Sequence, residues 1–449
     1  MNNVLDLVDH TIFRLERAAG VTNLIQVAWM YDRGVDFDGL RRFHDHLRHG
    51  RLSRRIELSP LPFGRYRWVS PTDRPQLEIV TSPRPREEFD TWLQEQSATP
   101  LDAESGPGWH VAVLPFTDGG AGVSLVASHC LTDGIGLCEA LADAVDGHDN
   151  AIAWPAAGAR RRWQAVREDA RQTIRDLPGA GRAVVAAARF ARRHRGSAGA
   201  SLPAPSVGAD DVVTPSTATV FVDLTEWDER ARRLGGTSNA LLAGVAATLA
   251  RRVGRVGGGG LVTLTIPISQ RTAGDTRANA ITNVDITVDP KPATTDLRGI
   301  RAAVKQALVR SADRPDDRWT LLPLVPLVPE RLGKRWVGAA TNSANSVGSS
   351  HLGAIPPSVN RPDGTDADLL AMRSLSAGVT EAAMVQLGGQ LLMVSGQVNG
   401  RVFITVVAYQ PNRVLSKKSL HQHISSVLAE FSLTGALGWP STACAGAAQ

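Results

Sequence analysis

The residues best placed to do chemistry in this 449-residue chain lie in the run Ser128-His129-Cys130-Leu131-Thr132-Asp133-Gly134. Ahead of it, Val123, Leu125 and Ala127 alternate with other residues. On a strand His129 shares their face, while Ser128 and Cys130 point the other way. A histidine where a buried strand gives way to a loop is well placed to meet a bound molecule. In its neutral form it can act as a general base. Asp133 falls past the turn, at the start of a helix, where a carboxylate caps free N–H groups and suits the helix dipole. Gly134 leaves room for a positive φ or for a ligand to approach the backbone. The same residues also read as a core histidine beside a turn aspartate, and the pattern alone leaves both readings open.

Other constellations are weaker. A Cys130–His129 ion pair is disfavoured because neighbouring strand residues face apart. The glycines at 257–260 precede a strand and no Gly-Lys-Ser/Thr, so they read as a helix-to-strand turn and not a phosphate loop. Cys130, Cys138 and Cys444 form no CxxC pair and no disulfide framework. No metal site is expected, and a reducing cytoplasm fits best. Residues 159–195 are rich in arginine. There Trp163, Val166, Ala170, Ile174 and Leu177 make an apolar stripe, broken at Pro178-Gly179, on a cationic helix. That helix reads either as docked on its own domain or as facing a membrane surface, an acidic carrier protein or coenzyme A phosphates. Leu321–Pro329 reads as an apolar mouth or a proline-stiffened connector, and His351 as a cleft or loop residue. Nucleic acid is not expected, because aromatic–basic interleaving and DNA-binding motifs are missing.

The elements that position these residues alternate between helix and strand. Phe37, Leu40, Phe43 and Leu47 share a helical face, as do Ile135, Cys138, Leu141 and Val145. Strands are expected at Val111–Leu114, Val123–Ser128, Leu261–Ile268 and around Val284, Ile286 and Val288. Helices are expected at Asn239–Arg251 and through Leu297, Ile300, Val304 and Leu308. Asn399-Gly400 marks a hairpin between Leu391–Ser395 and Arg401–Tyr409, and Leu420, Ile424, Val427 and Phe431 mark a closing helix. The class is therefore α/β or α+β. With 43% hydrophobic and 21% charged residues, the chain is neither disordered nor a coiled coil. The longest apolar runs are interrupted by proline, so no membrane-spanning helix is expected, and the N-terminus does not read as a secretory signal. A net charge of +5 permits an anionic partner without requiring one. A small-residue, proline-bearing stretch, 196–211, divides the chain into halves at 1–195 and 212–449.

His129-Cys-Leu-Thr-Asp133-Gly134 resembles the HxxxDG signature of acyltransferases with the chloramphenicol-acetyltransferase-like fold. That superfamily includes condensation domains of peptide synthetases, polyketide-associated acyltransferases and wax ester synthase/diacylglycerol acyltransferases. The last group is the most similar in landmarks. Leu7-Val-Asp9-His-Thr-Ile-Phe13 is similar to its opening segment, and Pro107-Gly108-Trp109 to its Pro-Leu-Trp motif. Ile266-Pro267-Ile-Ser269-Gln-Arg271 with Ala278-Asn279 is similar to its Pro-x-Ser-x-Arg…Gly-Asn segment, and Asn345-Ser346-Val347-Gly348 partly matches a Ser-Asn-Val-Pro-Gly turn. Ser128 stands where the family often has a first histidine.

The resemblance implies a pseudo-dimer of two such halves around a central substrate channel, with His129 as general base. Asp133 is expected to pair with Arg271 across the halves, with Gly134 structural, while Ser128, Trp109, Asn279 and Ser346 are candidates for the channel or the substrate. It implies acyl transfer from a thioester, acyl-CoA, to a hydroxyl acceptor, with no bound cofactor. The alternatives are a carrier-protein-dependent condensation-type enzyme, using acylated phosphopantetheine and forming an ester or amide, and a non-catalytic binding scaffold. The expected partners are the acyl thioester, a hydroxyl or amine acceptor and, as further candidates, an acyl carrier protein and a peripheral membrane contact. The expected location is the cytoplasm, free or peripheral to the membrane.

Overall fold

In the computed structural model, residues 3–441 are described other than 73, 149–151, 194–210, 314–316, 330–345, 412 and 414. The strands in chain order are β1 Thr22–Tyr31, β2 Arg55–Glu57, β3 Arg67–Val69, β4 Leu77–Ile79, β5 Trp109–Pro115, β6 Ala121–Ser128 and β7 Ser216–Asp223. Then come β8 Val262–Ser269, β9 Ile281–Val288, β10 Val347–Ala354, β11 Leu369–Ala377, β12 Gln390–Val398, β13 Arg401–Tyr409 and β14 Gly435–Leu437. The helices that matter below are α1 Leu7–Ala19, α2 Phe37–His49, α3 Gly134–Asp146, α4 Arg162–Arg193, α5 Ser238–Arg252, α6 Arg298–Asp313 and α7 Lys417–Glu430.

Among the described residues the strands form two main sheets. One has the order β11-β1-β6-β5-β4, the other β14-β7-β13-β12-β10-β8-β9. β2 and β3 make a small separate pair. The first sheet is not built from the first half alone. The chain returns after β10 and lays β11 antiparallel along β1, from Thr22 opposite Ala377 to Met30 opposite Leu369. This strand exchange ties the later part of the chain to the sheet that carries His129.

Local chemistry explains the element ends. Asp133 caps α3 through its side chain, and Gly20 and Gly147 close α1 and α3 in the left-handed region. The hairpin between β12 and β13 turns at Asn399 and Gly400, both with positive φ, as the Asn-Gly pair requires. β9 alternates buried and more exposed residues along its length, the mark of a strand with one face on the core. One core surrounds the first sheet, with Trp29, Phe89 and Trp92 fully buried; the other lies between the second sheet and α5 and α7.

One expectation needs correcting. The cationic segment is not broken at Pro178: α4 runs from Arg162 to Arg193 through the proline. A proline removes one backbone donor and strains one turn, and here the turn is packed, with Gly179 beside Pro323. Of the two readings of the proline-rich segment the connector fits: Leu322–Leu327 folds as a short 3₁₀ segment and packs against both α1 and α4. The stretch 196–211 lies outside the described residues except for Asp211, as does Cys444.

Candidate functional site

His129 follows directly on β6, where the chain turns toward α3. Its backbone is held on both sides. The His129 N–H donates to the Asn23 carbonyl on β1 at 2.8 Å. Its own carbonyl accepts from Asn279 Nδ2 at 3.0 Å. Asn279 belongs to the segment that leads into β9, so residues from both main sheets fix one backbone unit. The imidazole is half-buried, and its Nδ1 makes no hydrogen bond to the protein. The ring therefore lacks the orienting carboxylate of a Ser-His-Asp triad, and its backbone anchors set its position instead.

Asp133 accepts three hydrogen bonds. Oδ1 accepts from the Gly136 N–H at 2.7 Å, and Oδ2 accepts from Arg271 Nη2 and from the Ala280 N–H, both at 2.8 Å. The Asp133 and Arg271 side chains are 2% and 3% exposed. Arg271 also donates to the carbonyls of Arg277 and Ala278. A pair so enclosed is shut away from bound molecules and ties the turn after β6 to the segment 277–280.

The segment 277–280 is clamped from the other side by Asp9 on α1. One Asp9 oxygen accepts from the Ala278 N–H at 3.0 Å, the other from the Asn279 N–H at 2.8 Å and Asn279 Nδ2 at 3.1 Å. Burial pushes the Asp9 carboxyl up to about 6, against the opposing pull of Arg54 and these N–H donors. Arg54 is buried, donates to the carbonyls of Leu131 and Thr276, and lies over the Trp68 ring at 4.3 Å. Asp9, Arg54, Asp133 and Arg271 together lock the loop before β9 under the His129 turn.

The remaining candidates separate. Ser128 is buried, and its Oγ accepts from the Cys130 N–H at 3.2 Å, which shapes the turn. Trp109 is packed in the core, its ring edge-on to His44 with centroids 5.3 Å apart. Gly134 opens α3 without a positive φ, and Asn279 joins the anchors of His129. Ser346 lines a cavity of ≈ 530 Å³, a volume typical of small-molecule sites. Ile12, Leu15, Met384, Leu387, Leu391 and Leu392 give that cavity its apolar walls, and Glu16 and Asn23 also line it. His129 is joined to it through Asn23, whose carbonyl holds the His129 N–H and whose Nδ2 donates to Glu16 at 2.9 Å. His351 lies on β10, half-buried, with burial holding its imidazole below the usual range.

Glu16 carries no motif signal, and only the way α1 packs under the His129 turn reveals it. It accepts from the thiol of Cys130 at 3.2 Å, and burial raises its carboxyl above the ordinary range while the hydrogen bonds from Cys130 and Asn23 oppose that rise. The Cys130 thiol is itself pushed well above its usual value by burial and by Glu16, so it is no nucleophile. Among the described residues no three His, Cys, Asp or Glu side chains gather as metal ligands, and no helix is long and apolar enough to cross a membrane.

No family model matches the sequence, and no curated protein does. Solved structures do match, over nearly the whole chain. The first condensation domain of the calcium-dependent antibiotic synthetase superposes with a TM-score of 0.56 at 16% identity, covering 96% of this chain and 97% of that one. The trichothecene 15-O-acetyltransferase of Fusarium sporotrichioides gives 0.60 at 9% identity, covering 96% and 94%. The wax ester synthase/diacylglycerol acyltransferase of Marinobacter aquaeolei gives 0.53 at 13%, covering 96% and 98%. At these identities the likeness is one of fold and does not favour the wax ester branch over the others. The chain is an α/β protein with the fold of the chloramphenicol-acetyltransferase-like and condensation-domain superfamily.

Proposed function

We propose that the chain is an acyltransferase of the condensation type, joining an acyl group from a thioester to a hydroxyl or amine with His129 as general base. The observation that carries this reading is the double anchoring of His129 by Asn23 and Asn279 beside the apolar cavity. In the reaction, His129 takes the proton from the acceptor as its oxygen or nitrogen attacks the thioester carbonyl. The tetrahedral species collapses, the C–S bond breaks, and the thiolate leaves and recovers the proton from the imidazolium. The products are an ester or amide and a free thiol. One base suffices, because a thiolate leaves readily and binding both reactants at one site brings them together.

The donor is an acyl group on phosphopantetheine, borne by a carrier protein as the condensation-domain likeness suggests, or by coenzyme A. Ester formation from acyl-CoA is the second reading, favoured by the aliphatic lining of the cavity, which suits an alkyl chain. Asp133, Arg271, Asp9 and Asn279 act in both as positioning residues.

The test supplies one medium-chain acyl group on coenzyme A and, separately, on an acyl carrier protein, each with alcohol and amine acceptors. Thiol release and product mass are followed. Wild-type product formation should fall about 10²–10⁴-fold in His129→Ala, with the fold retained. Product at an undiminished rate in a folded His129→Ala variant removes the assignment. Failure of the wild type with every donor leaves a binding scaffold in place of an enzyme.

A further inference from the structure

The helix α4 is turned inside out. A surface helix normally buries its large apolar side chains and shows its polar ones. Among its described side chains the buried ones are Ala165, Asp169, Ala180 and Ala183, while Trp163 is 58% exposed, Ile174 64%, Leu177 52% and Val184 57%. Val166 and Val185 are exposed as well. At about 100° per residue these six side chains fall within a sector of roughly 100° opposite Ala165 and Ala183, in a stripe roughly 30 Å long. A continuous apolar stripe of that length on a solvent face marks a docking surface.

The charges on the same helix are sorted. Asp169 is turned inward, accepting from Ser59 Oγ at 2.7 Å and from Arg67 and Arg160 at 3.0 Å. Asp176 pairs with Arg65 and Glu168 with Arg160. Arg162, Arg167, Arg171, Arg175 and Arg182 are exposed and pair with no carboxylate among the described residues. The outward face therefore combines a straight apolar stripe with cations of one sign. An anionic bilayer surface satisfies both at once, taking the stripe into its acyl boundary and the guanidinium groups among its phosphates.

We propose that α4 docks this chain flat on an anionic lipid surface through Trp163, Val166, Ile174, Leu177 and Val184, flanked by Arg171, Arg175 and Arg182. The inward side of α4 is linked to the cavity wall through one intervening segment. α4 packs on the 3₁₀ segment Leu322–Leu327, and that segment is held to α1 by Arg14, which donates to the carbonyls of Val325 and Val328. α1 in turn supplies Ile12, Leu15 and Glu16 to the cavity wall.

The test is flotation of the full chain with phosphatidylcholine vesicles containing about one-third phosphatidylglycerol, and with phosphatidylcholine alone. It reads no turnover, so it stands or falls apart from the acyl-transfer reading. The wild type should float with the anionic vesicles at low salt. Binding should drop about tenfold or more in Ile174→Asp/Leu177→Asp, in Arg171→Glu/Arg175→Glu, and for the wild type in high salt. All four positions are exposed, so circular dichroism should be unchanged. Failure to float, or flotation that neither double variant weakens, overturns the proposal. So does self-association that Ile174→Asp/Leu177→Asp abolishes, or salt-sensitive capture by an acyl carrier protein with no vesicle binding.

Discussion

The guanidinium of Arg271 lies so close across the first turn of α3 that a methyl group on Gly136 would sit 2.7 Å from its Nη2. The same methyl would meet Thr132 Oγ1 at 2.9 Å. Gly136 thus leaves the space through which Arg271 reaches Asp133. Gly134, the glycine of the HxxxDG signature, is less confined: a methyl there meets only the end of the Leu352 side chain, at 2.9 Å.

The two glycines should therefore differ in how they tolerate alanine. Alanine ordinarily favours a helix over glycine by about 1 kcal/mol, so Gly134→Ala should be close to neutral once Leu352 shifts. Gly136→Ala has to displace Arg271 and should cost about 1–3 kcal/mol, the usual range for overpacking a close-fitted site. Urea unfolding of the two variants checks the order. If Gly136→Ala proves as stable as wild type, Arg271 is not confined as described.

Asp133 and Arg271 should be strongly coupled. Removing either leaves a buried charge with carbonyl or N–H partners but no counter-ion, at a cost of roughly 3–5 kcal/mol. Removing both spares the second penalty. A double-mutant cycle with Asp133→Ala and Arg271→Ala should give a coupling of about 1–3 kcal/mol. Strict additivity would mean that the pair contributes nothing beyond its separate hydrogen bonds.

Much of this arrangement was legible in the sequence, for a physical reason. Periodicity reports which face of an element is buried, so α2, α3, β9 and the closing helix α7 emerge from their apolar spacing. Asn399-Gly400 announces its hairpin because few other pairs take positive φ in succession. What periodicity cannot report is which elements meet. The return of β11 to β1, the Asp9 clamp on Asn279 and the placing of Glu16 under Cys130 are contacts between distant segments of the chain. The α4 stripe shows the limit from the other side. Its spacing is that of a docked helix, yet its small residues are the ones buried, because Asp169 anchors the opposite face to Arg67 and Arg160.

The stability of the clamp should carry a distinctive pH dependence, because two neighbours on α1 are shifted in opposite senses. His10 is 1% exposed, its ring tilted against that of Tyr66 with centroids 4.3 Å apart, and its Nδ1 accepts from the Tyr66 N–H at 3.4 Å. Burial, with Arg14 and Arg65 nearby, lowers it from 6.5 to about 3. Between those values the unfolded chain binds the proton and the folded one does not, so this contribution is complete above 6.5 and is lost as the pH falls toward 3. Asp9 is raised from 3.8 to about 6, so from 3.8 upward the folded state holds the extra proton, and its contribution is lost as the pH rises through 6. In the wild type the two slopes oppose each other between about pH 4 and 6. His10→Asn keeps an acceptor for the Tyr66 N–H and removes the titration. Its stability should therefore fall with rising pH, relative to wild type, by close to one proton, or about 1.4 kcal/mol per pH unit. Unfolding free energies of both proteins at half-unit steps across that window measure the difference, and parallel curves would show that His10 does not titrate between its folded and unfolded states.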